Sequence, residues 1–406
     1  MPESWEWCRL DDIGTFIRGS GIKRSETKPS GIPCVRYGEI YTTYNFKMVA
    51  AVSFVESSLA ANSKDVHTGD LLMTLTGETK EEIGKTVAFM GNEQTVIGGD
   101  LAAFSHYHQD PMYLSYFMNS PYAIQQKMFL GTGDLIVHIS CERLSSILVP
   151  LPPFAEQRRI VAAIESAFAV IDEIEQAKTD LKTAVERSKQ KILSLAITGK
   201  LVPQDPADEP ASVLLERIRA EREQLVKAGK IKRGKGEKAA PISVDNSYYE
   251  NLPAGWAVCR LDEVLDYEQP TQYIVESTAY SDEYETPVLI AGKSFIIGYT
   301  NEQAGICSDL PVIIFDDFTT DSRYVDFAFK VKSSAMKILR SGYVDIKYLY
   351  YFMQTVECNH TTHKRYWISD FSQKPLALPP IAEQGRIVVA IESAFEMLDE
   401  VVENLN

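Results

Sequence analysis

A duplicated segment is the feature that most constrains how this chain folds. The stretch LPPFAEQRRIVAAIESAFAVIDEIEQ, from Leu151, recurs from Leu378 as LPPIAEQGRIVVAIESAFEMLDEVVE, with 17 of 26 positions identical. The two copies are 378 − 151 = 227 residues apart. A repeat of this kind indicates one structural unit that occurs twice, and missing it would misassign the whole fold.

A shorter repeat opens the region that precedes each copy. WEWCRLDDI at Trp5 returns as WAVCRLDEV at Trp256, an offset of 256 − 5 = 251 residues. Between these anchors, residues 14–150 and 265–377 show no obvious similarity to each other. We therefore predict four regions: a globular domain at 1–150, a central helix with its linker at 151–251, a second globular domain at 252–377, and a C-terminal helix at 378–406 that is shorter than the first.

Apolar residues in the shared segment follow the spacing of a paired helix. From Ile160 to Leu195, steps of four and three residues are apolar at nine of eleven positions, and neither Pro nor Gly interrupts residues 154–198. This predicts one helix of about 66 Å, at about 1.5 Å per residue, that ends at Gly199. One such stripe leaves core packing or homodimerisation equally open, but two copies favour an antiparallel coiled coil within the chain. The predicted seam consists of Ile160, Ile164, Ile171, Ile174, Leu181, Val185, Ile192, Leu195, Ile387, Ile391, Leu398 and Val401.

Composition limits the class of protein. The 406 residues, 45% of them hydrophobic, are enough for two buried cores. No run of 18 apolar residues and no secretory start occurs, so we expect a cytoplasmic protein without a membrane span. Six scattered cysteines without a CxxC pair argue against a zinc site, and we expect no metal. A net charge of −15 opposes a surface coated in nucleic acid but permits small basic clefts.

The local pattern outside the repeats is that of α+β domains. Helices are predicted at Met112–Gln126 and Asp345–Val356, a similar distance before each LPP motif. Short β-rich runs predict strands at Val87–Met90, Ile147–Val149, Val312–Phe315 and Phe327–Val331.

Three motifs that suggest catalysis or metal binding fail on inspection. Residues 129–133 match the FxGxG loop of S-adenosylmethionine-dependent methyltransferases, but the following LPPF has Leu151 where the amine-binding Asn or Asp must stand. Residues 84–86 resemble the end of a phosphate loop, yet the required upstream glycine is displaced. The histidine pairs 106/108 and 360/363 lack a carboxylate arranged as a metal site requires. We therefore predict a non-catalytic chain.

The frame closely resembles the specificity subunits of type I restriction–modification systems. The resemblance rests on LPPFAEQ and its second copy, on the exit TGKLVP at 198–203, and on the domain openings at Trp5 and Trp256. It covers essentially the whole chain. Motifs inside the variable regions, GDLL at 69–72 and VIIFDDFTT at 312–320, also look familiar from this family.

The resemblance implies two target-recognition domains that each read one half of a bipartite, asymmetric double-stranded DNA site. The paired helices would fix the gap between half-sites and dock two methyltransferase subunits, with restriction (motor-nuclease) subunits joining for cleavage. Self-association through the coiled coil is a further expectation. The chain itself would need no cofactor, since S-adenosylmethionine, ATP and magnesium would belong to those partners.

DNA-reading side chains are expected on loops of the two variable domains, because Arg and Lys reach guanine edges and phosphates. The candidates are Arg18, Lys23, Arg24, Arg36, Lys80, Lys85, Lys293, Thr319, Thr320, Arg323, Lys332, Lys364 and Arg365. Two other hypotheses stay open: a coiled-coil scaffold that binds only proteins, and a recognition fragment of a fused methyltransferase–nuclease.

Overall fold

The computed structural model describes residues 2–229, 251–292, 294–358 and 365–405. The chain divides into two compact units, Met1–Glu175 and Gln176–Asn406. The boundary falls inside the long helix, which the regions drawn from the sequence place entirely within 151–251. Among the described residues, no helix has the length and apolar character needed to cross a membrane.

The first unit is built around two sheets. A five-stranded sheet has the order β2-β11-β7-β9-β4 and a four-stranded sheet the order β5-β3-β10-β6, while β1 pairs with β13 and β8 with β12. The strands are β1 (Glu6–Arg9), β2 (Thr15–Arg18), β3 (Ile32–Val35), β4 (Lys47–Met48), β5 (Ser53–Val55), β6 (Lys64–Val66), β7 (Leu71–Thr74), β8 (Thr76–Gly77), β9 (Thr86–Phe89), β10 (Thr95–Ile97), β11 (Leu101–Ser105), β12 (Val137–His138) and β13 (Leu148–Leu151).

Six short helices of the first unit lie in its described residues. They are α1 (Leu10–Ile13), α2 (Tyr37–Thr42), α3 (Ser57–Ala60), α4 (Pro111–Met118), α5 (Pro121–Leu130) and α6 (Cys141–Ser145). The single helix predicted at Met112–Gln126 is wrong, because Ser120 caps a new helix and Pro121 occupies its first turn. Proline fits that position since the first turn needs no amide donor.

Both faces of the five-stranded sheet are buried, because successive side chains of a strand point to opposite sides. Leu71 and Met73 of β7 pack with α4 and the start of the long helix. Leu72 between them packs toward the four-stranded sheet with Val35 and Ile97. The variable region is thus a layered domain with a core on each side of one sheet.

The long helix is the predicted one. Helix α7 runs from Phe154 to Ile197, 44 residues without interruption. Gly199 follows with φ +68°, the left-handed conformation that ends helices and suits glycine. A second helix, α8 (Ala211–Lys227), lies in the region that was predicted as the linker after the long helix.

The second unit repeats this plan with fewer strands. Its sheets have the orders β15-β21-β18-β19 and β17-β16-β20, and β14 pairs with β22. The strands are β14 (Ala257–Arg260), β15 (Asp266–Glu268), β16 (Thr286–Leu289), β17 (Ile296–Thr300), β18 (Val312–Asp316), β19 (Ser322–Val325), β20 (Lys330–Val331), β21 (Met336–Arg340) and β22 (Pro375–Leu378). The remaining helices are α9 (Leu261–Val264), α10 (Ile346–Met353), α11 (Tyr366–Ser369) and α12 (Ile381–Glu403).

Strand β18 shows the same two-sided burial as β7. Ile313 and Phe315 face the cluster that includes α10 and α12, whereas Val312 and Ile314 face the three-stranded sheet. The strand predicted at Phe327–Val331 is shorter than expected, since β20 comprises only Lys330–Val331 and Phe329 forms an isolated bridge with Cys307. Helices and strands are therefore mixed in both units, as the α+β prediction requires.

Within the second unit, the end of α7 packs antiparallel on α12. Lys189 Nζ lies 2.5 Å from Asp399 Oδ1, and Gln204, beyond the helix end, donates to Glu383 Oε1 at 2.7 Å. The two segments therefore run in opposite directions.

The structure buries only part of the predicted seam. Val185, Ile387 and Ile391 are buried, and Ile160, Ile164, Ile192, Leu195 and Leu398 are half-buried. Ile171, Ile174, Leu181 and Val401 are exposed. The reason is length: α12 ends at Glu403, so the antiparallel pairing extends only to about Val185 of α7.

Candidate nucleic-acid interface

In each unit, a tryptophan–carboxylate hydrogen bond joins the short repeat at the start of the domain to the duplicated helix that follows the domain. Trp5 Nε1 donates to Glu156 Oε1 at 3.2 Å, and Trp256 Nε1 donates to Glu383 Oε2 at 3.0 Å. The glutamates are equivalent residues of the two AEQ motifs. The bond fixes the opening strand of each domain to the first turn of its helix.

The glutamine of each AEQ motif ties the helix to the domain interior. Gln157 accepts from the Asp110 amide and donates to the Pro152 carbonyl, both at 2.9 Å. Gln384 makes the same pair of bonds, to the Asp345 amide and the Pro379 carbonyl, at 2.9 Å each. Asp110 and Asp345 cap α4 and α10, so each globular domain is anchored to its helix at the same point.

A cleft of about 710 Å³ opens on the first unit next to the end of β2. The polar side chains around it include one predicted candidate, Arg18, and four that were not predicted: Thr76, Asp100, His138 and Arg143. Thr76 Oγ1 lies 3.1 Å from His138 Nδ1 and 3.4 Å from Asp100 Oδ1. Such a mixture of donors and acceptors around a concave surface suits recognition of base edges.

The Gly-rich basic loop that begins at Arg18 packs against the backbone of Gly98 and Gly99. Arg18 Nε donates to the Gly99 carbonyl at 3.1 Å. A Cβ on Gly19 would lie 2.2 Å from the Gly98 carbonyl oxygen, so only glycine permits this close approach. Lys23 and Arg24 follow on the surface, both exposed.

The other three candidates of the first unit differ in how available their charges are. Arg36 is half-buried and its guanidinium lies 2.6 Å from Glu39 Oε1, so its charge is already paired. Lys80 is exposed, whereas Lys85 is half-buried, and burial lowers the pKa of its amine against an opposing effect of Glu82. Lys80 is thus the better placed of these for a phosphate contact.

A buried ion pair organises the candidates of the second unit. Lys337 Nζ lies 3.0 Å from Asp317 Oδ2, and both side chains are almost fully buried. The Asp317 carboxylate also accepts from the Trp367 amide at 2.8 Å, and its carbonyl accepts from the Tyr366 amide at 2.9 Å. The tip of the β18–β19 hairpin is therefore fixed to α11.

Three loops meet around this pair. The hairpin tip carries exposed Thr319 and half-buried Thr320, the latter at φ +63°, a strained conformation for a β-branched residue. The amide of Asp317 donates to Ala335 in the loop that begins at Lys332, and Arg365 caps α11. We call Thr319, Thr320, Lys332 and Arg365 the second-unit loop cluster.

The remaining candidates of this unit lie apart or outside the described residues. Arg323 is half-buried, with its guanidinium carbon 5.9 Å from the centre of the Phe295 ring, and so serves packing. Lys293 and Lys364 lie outside the described residues.

Sequence reasoning missed the residues that organise each surface. Asp317 and Lys337 are far apart in sequence, and the one available signal is a lysine inside the apolar run Met336–Arg340. His138 lies in no recognisable motif of the sequence, and Arg143 lies in no basic cluster. Among the described residues, no group of three His, Cys, Asp or Glu side chains could hold a metal ion.

Comparison with known proteins finds similar sequences for part or all of the chain. Residues 2–183 match the family model described as "Type I restriction modification DNA specificity domain". The specificity subunit of the Escherichia coli type I restriction enzyme EcoR124I/EcoR124II is 45% identical over 176 residues, 39% of this chain and 44% of that protein. The EcoKI specificity subunit of Escherichia coli strain K12 is 21% identical over the whole chain and 85% of its own length.

Two solved structures share the fold. A chain from a study of assembly and conformational transition of the type I R-M system aligns over 100% of this chain and 93% of its own, with a TM-score of 0.64 and 16% identity. The HsdS subunit from Thermoanaerobacter tengcongensis aligns over 100% and 91%, with a TM-score of 0.53 and 17% identity. At these identities the likeness is one of fold.

The matches to the first relatives span 44%, 51% and 32% of those proteins. Residues 2–183 nonetheless match the model of the type I DNA specificity domain family, and the resemblance noted in the sequence is confirmed. Relatives named as specificity subunits favour the DNA-reading hypothesis over the scaffold and fused-enzyme alternatives.

Proposed function

We propose, on the premise that residues 2–183 are a type I DNA specificity domain, that the chain is a non-catalytic DNA-recognition subunit with two reading domains. The observation that carries this proposal is the duplicated frame. Equivalent Trp–Glu and Gln–Asp anchors hold two domains whose polar surfaces are unlike. Unlike surfaces on like frames suit a bipartite, asymmetric DNA site.

The first-unit cleft and the second-unit loop cluster are the proposed reading surfaces. Arg18 and Arg143 offer the planar donor groups that recognise guanine in the major groove, and Thr319, Lys332 and Arg365 offer contacts to bases and phosphates. The overall charge of −15 then restricts binding to small surfaces that carry cationic side chains, such as these two.

In this proposal, the helices set the distance between the two reading domains. Two readers on one face of DNA must be separated by whole helical turns, about 34–36 Å each, and a helix pair is stiff enough to set such a distance. Two methyltransferase subunits and the restriction subunits are the proposed protein partners. S-adenosylmethionine, ATP and magnesium would be used by those partners, in the cytoplasm where chromosomal DNA is the substrate.

Methylome sequencing tests the function directly. A host that expresses this chain with its methyltransferase should carry modified adenines in one two-part motif. Arg18→Ala with Arg143→Ala should relax recognition of one half of the motif, and Thr319→Ala with Arg365→Ala should relax the other. Each good base contact contributes about 1–3 kcal/mol of discrimination.

Lys28→Ala is a matched surface control, because Lys28 is exposed and paired with Glu56 outside both surfaces. It should leave the motif intact. An unchanged motif in both double variants would remove the proposed surfaces, and the absence of any two-part motif would remove the function.

A further inference from the structure

A short loop of the first unit exposes its apolar side chains instead of burying them. The segment 131–136 connects α5 to β12 and carries Leu135, which is 93% exposed, and Ile136, which is 56% exposed. Burial of such side chains drives folding, so their display contributes nothing to the stability of the fold. A single surface leucine is ordinary, but two adjacent apolar residues at the edge of a binding surface indicate a site of interaction.

The two ends of this loop are held firmly. Thr132 and His138 donate their amides to each other's carbonyls, at 2.9 and 2.8 Å. Val137 beside them is buried in the core, and β12 pairs with β8. The exposed tip at 133–136 therefore projects from a fixed base.

Gly133 shapes the tip. Its φ is +104°, a conformation that residues with a side chain rarely adopt. A Cβ at this position would lie 2.1 Å from the carbonyl oxygen of Ile136. The backbone therefore makes a tight turn between residues 133 and 136, and this turn keeps Leu135 away from the core.

The loop borders the first-unit cleft. Its fixed ends, Thr132 and His138, line that cleft together with Arg18 and Arg143. The Arg143 guanidinium donates at 2.8 Å to the carbonyl of Leu130, the residue at which α5 ends. The cationic side chains and the exposed apolar tip therefore belong to one continuous surface.

We propose that Leu135 inserts between adjacent base pairs of the duplex DNA that the first-unit cleft holds, and unstacks that base step. This inference rests on the proposed function, which places DNA at the cleft. Leucine and isoleucine serve as apolar wedges of this kind in proteins that kink DNA, and the opened step bends the duplex. A wedge needs a firm base, because unstacking costs free energy that a flexible loop would avoid by moving aside.

The charges around the tip favour this occupant over two others. Asp134 is exposed next to Leu135, so a loop that followed the phosphate backbone would bring like charges together. The interior of the base stack carries no net charge. A stable protein partner would cover about 800 Å² around an apolar centre. Leu135 and Ile136 instead stand among the exposed polar residues Thr132, Asp134 and His138.

The test uses the chain reconstituted with its methyltransferase, and a labelled duplex that carries the motif found by methylome sequencing. Leu135→Ala should weaken binding to this duplex about tenfold or more, since loss of about 1.4 kcal/mol is a factor of ten. Leu135→Phe should retain most of the affinity, because a phenylalanine ring also fills an opened step. Fluorescence anisotropy measures both variants.

Val49→Ala is the matched control. Val49 is an exposed apolar residue of the same unit and does not line the cleft. This variant should bind the duplex as the unaltered chain does. Energy transfer between labels at the two ends of the duplex should also show a smaller bend with Leu135→Ala and an unchanged bend with Val49→Ala.

Abasic sites distinguish a wedge from an ordinary contact. A set of duplexes is prepared, each lacking one base at a different position across the first half-site and its flanks. At one position, the missing base should restore the affinity of Leu135→Ala to within about threefold of the unaltered chain, because the step is already unstacked there. A lost contact to a base edge or to a phosphate would not be restored in this way.

The outcomes separate this inference from the proposed function. The absence of any two-part motif removes the function and the wedge together. With the motif present, the wedge alone is overturned by an unchanged affinity of Leu135→Ala, or by a loss that no abasic position restores. It is also overturned if Leu135→Ala with Phe129→Ala prevents assembly with the methyltransferase in the absence of DNA, because these exposed residues would then dock a protein.

Discussion

The first unit arranges its cationic side chains around a cleft, whereas the second presents them on loops fixed by a buried ion pair. Around the cleft, Arg18 and Arg143 are positioned by bonds to the Gly99 and Leu130 carbonyls. In the second unit, Thr319 and Arg365 depend on Asp317 and its contacts with neighbouring loops. Beneath these unlike surfaces, the contacts between domain and helix are nearly the same. The comparison shows that the duplicated part of the sequence encodes the attachment of each domain to its helix, whereas the variable part encodes the proposed reading surfaces.

The largest expected effect comes from breaking the buried ion pair of Asp317 with Lys337. It tests whether this pair holds the second-unit loop cluster in place. Asp317→Ala leaves Lys337 buried without its carboxylate, which should lower the free energy of unfolding by about 3–5 kcal/mol. Urea unfolding followed by the fluorescence of Trp367, which packs at this site, measures the loss. The double variant Asp317→Leu with Lys337→Met should recover most of it. Equal stabilities of the single variant and the unaltered chain would show that the loops are held by other contacts.

Lys127 is buried in the first unit and, unlike Lys337, has no carboxylate as its partner in the contacts described. Its titration should make the stability of the chain depend on pH. Its amine donates to the Gly84 and Met118 carbonyls, and burial lowers its pKa to about 7. The unfolded chain then binds more protons between about pH 7 and its ordinary pKa of 10.5, so stability should rise with pH across that window. One proton corresponds to about 1.4 kcal/mol for each pH unit. Urea unfolding of Lys127→Met at several pH values should lack this rise, and an identical pH profile would contradict the assignment.

The two domain-opening tryptophans give a matched pair of smaller effects. Trp256→Phe removes a donor from the buried Glu383 and should cost about 1–3 kcal/mol. Trp5→Phe removes the equivalent donor from the half-buried Glu156 and should cost only about 0.5 kcal/mol. Urea unfolding of both variants measures the difference. Equal costs would mean that the cover over Glu383 does not strengthen the bond.

Lys332→Ala should have the smallest effect. If Lys332 contacts a phosphate, its loss weakens DNA binding similarly for all sequences and reduces the slope of log affinity against log salt by about 0.9. Titration of the reconstituted complex at several salt concentrations measures that slope. A changed sequence preference with the same slope would instead place Lys332 at a base.

Much of the frame could be predicted from sequence because its signals are local and repeated. The 44-residue helix, its end at Gly199 and the strand at Val312–Asp316 follow from spacing and from residue type. The break at Pro121 was missed because the apolar pattern continues through it. The candidate site was predicted less well: Arg18 does line the cleft, but Arg143 and His138 reach it only through the pairing of distant segments. Buried pairs such as Asp317 with Lys337 join residues whose partnership has no local pattern.

The pairing of β1 with β13, and of β14 with β22, has a consequence for how such genes change. In each case the first and last strands of a domain lie side by side, with Trp7 opposite Pro150 in one and Val258 opposite Ala377 in the other. The segment between the two strands therefore begins and ends at the same place, beside the start of the helix that follows it. Recombination at the sequence repeats that flank a domain could therefore exchange the entire domain in one event. The incoming domain would need to match the rest of the chain only at its first and last strands.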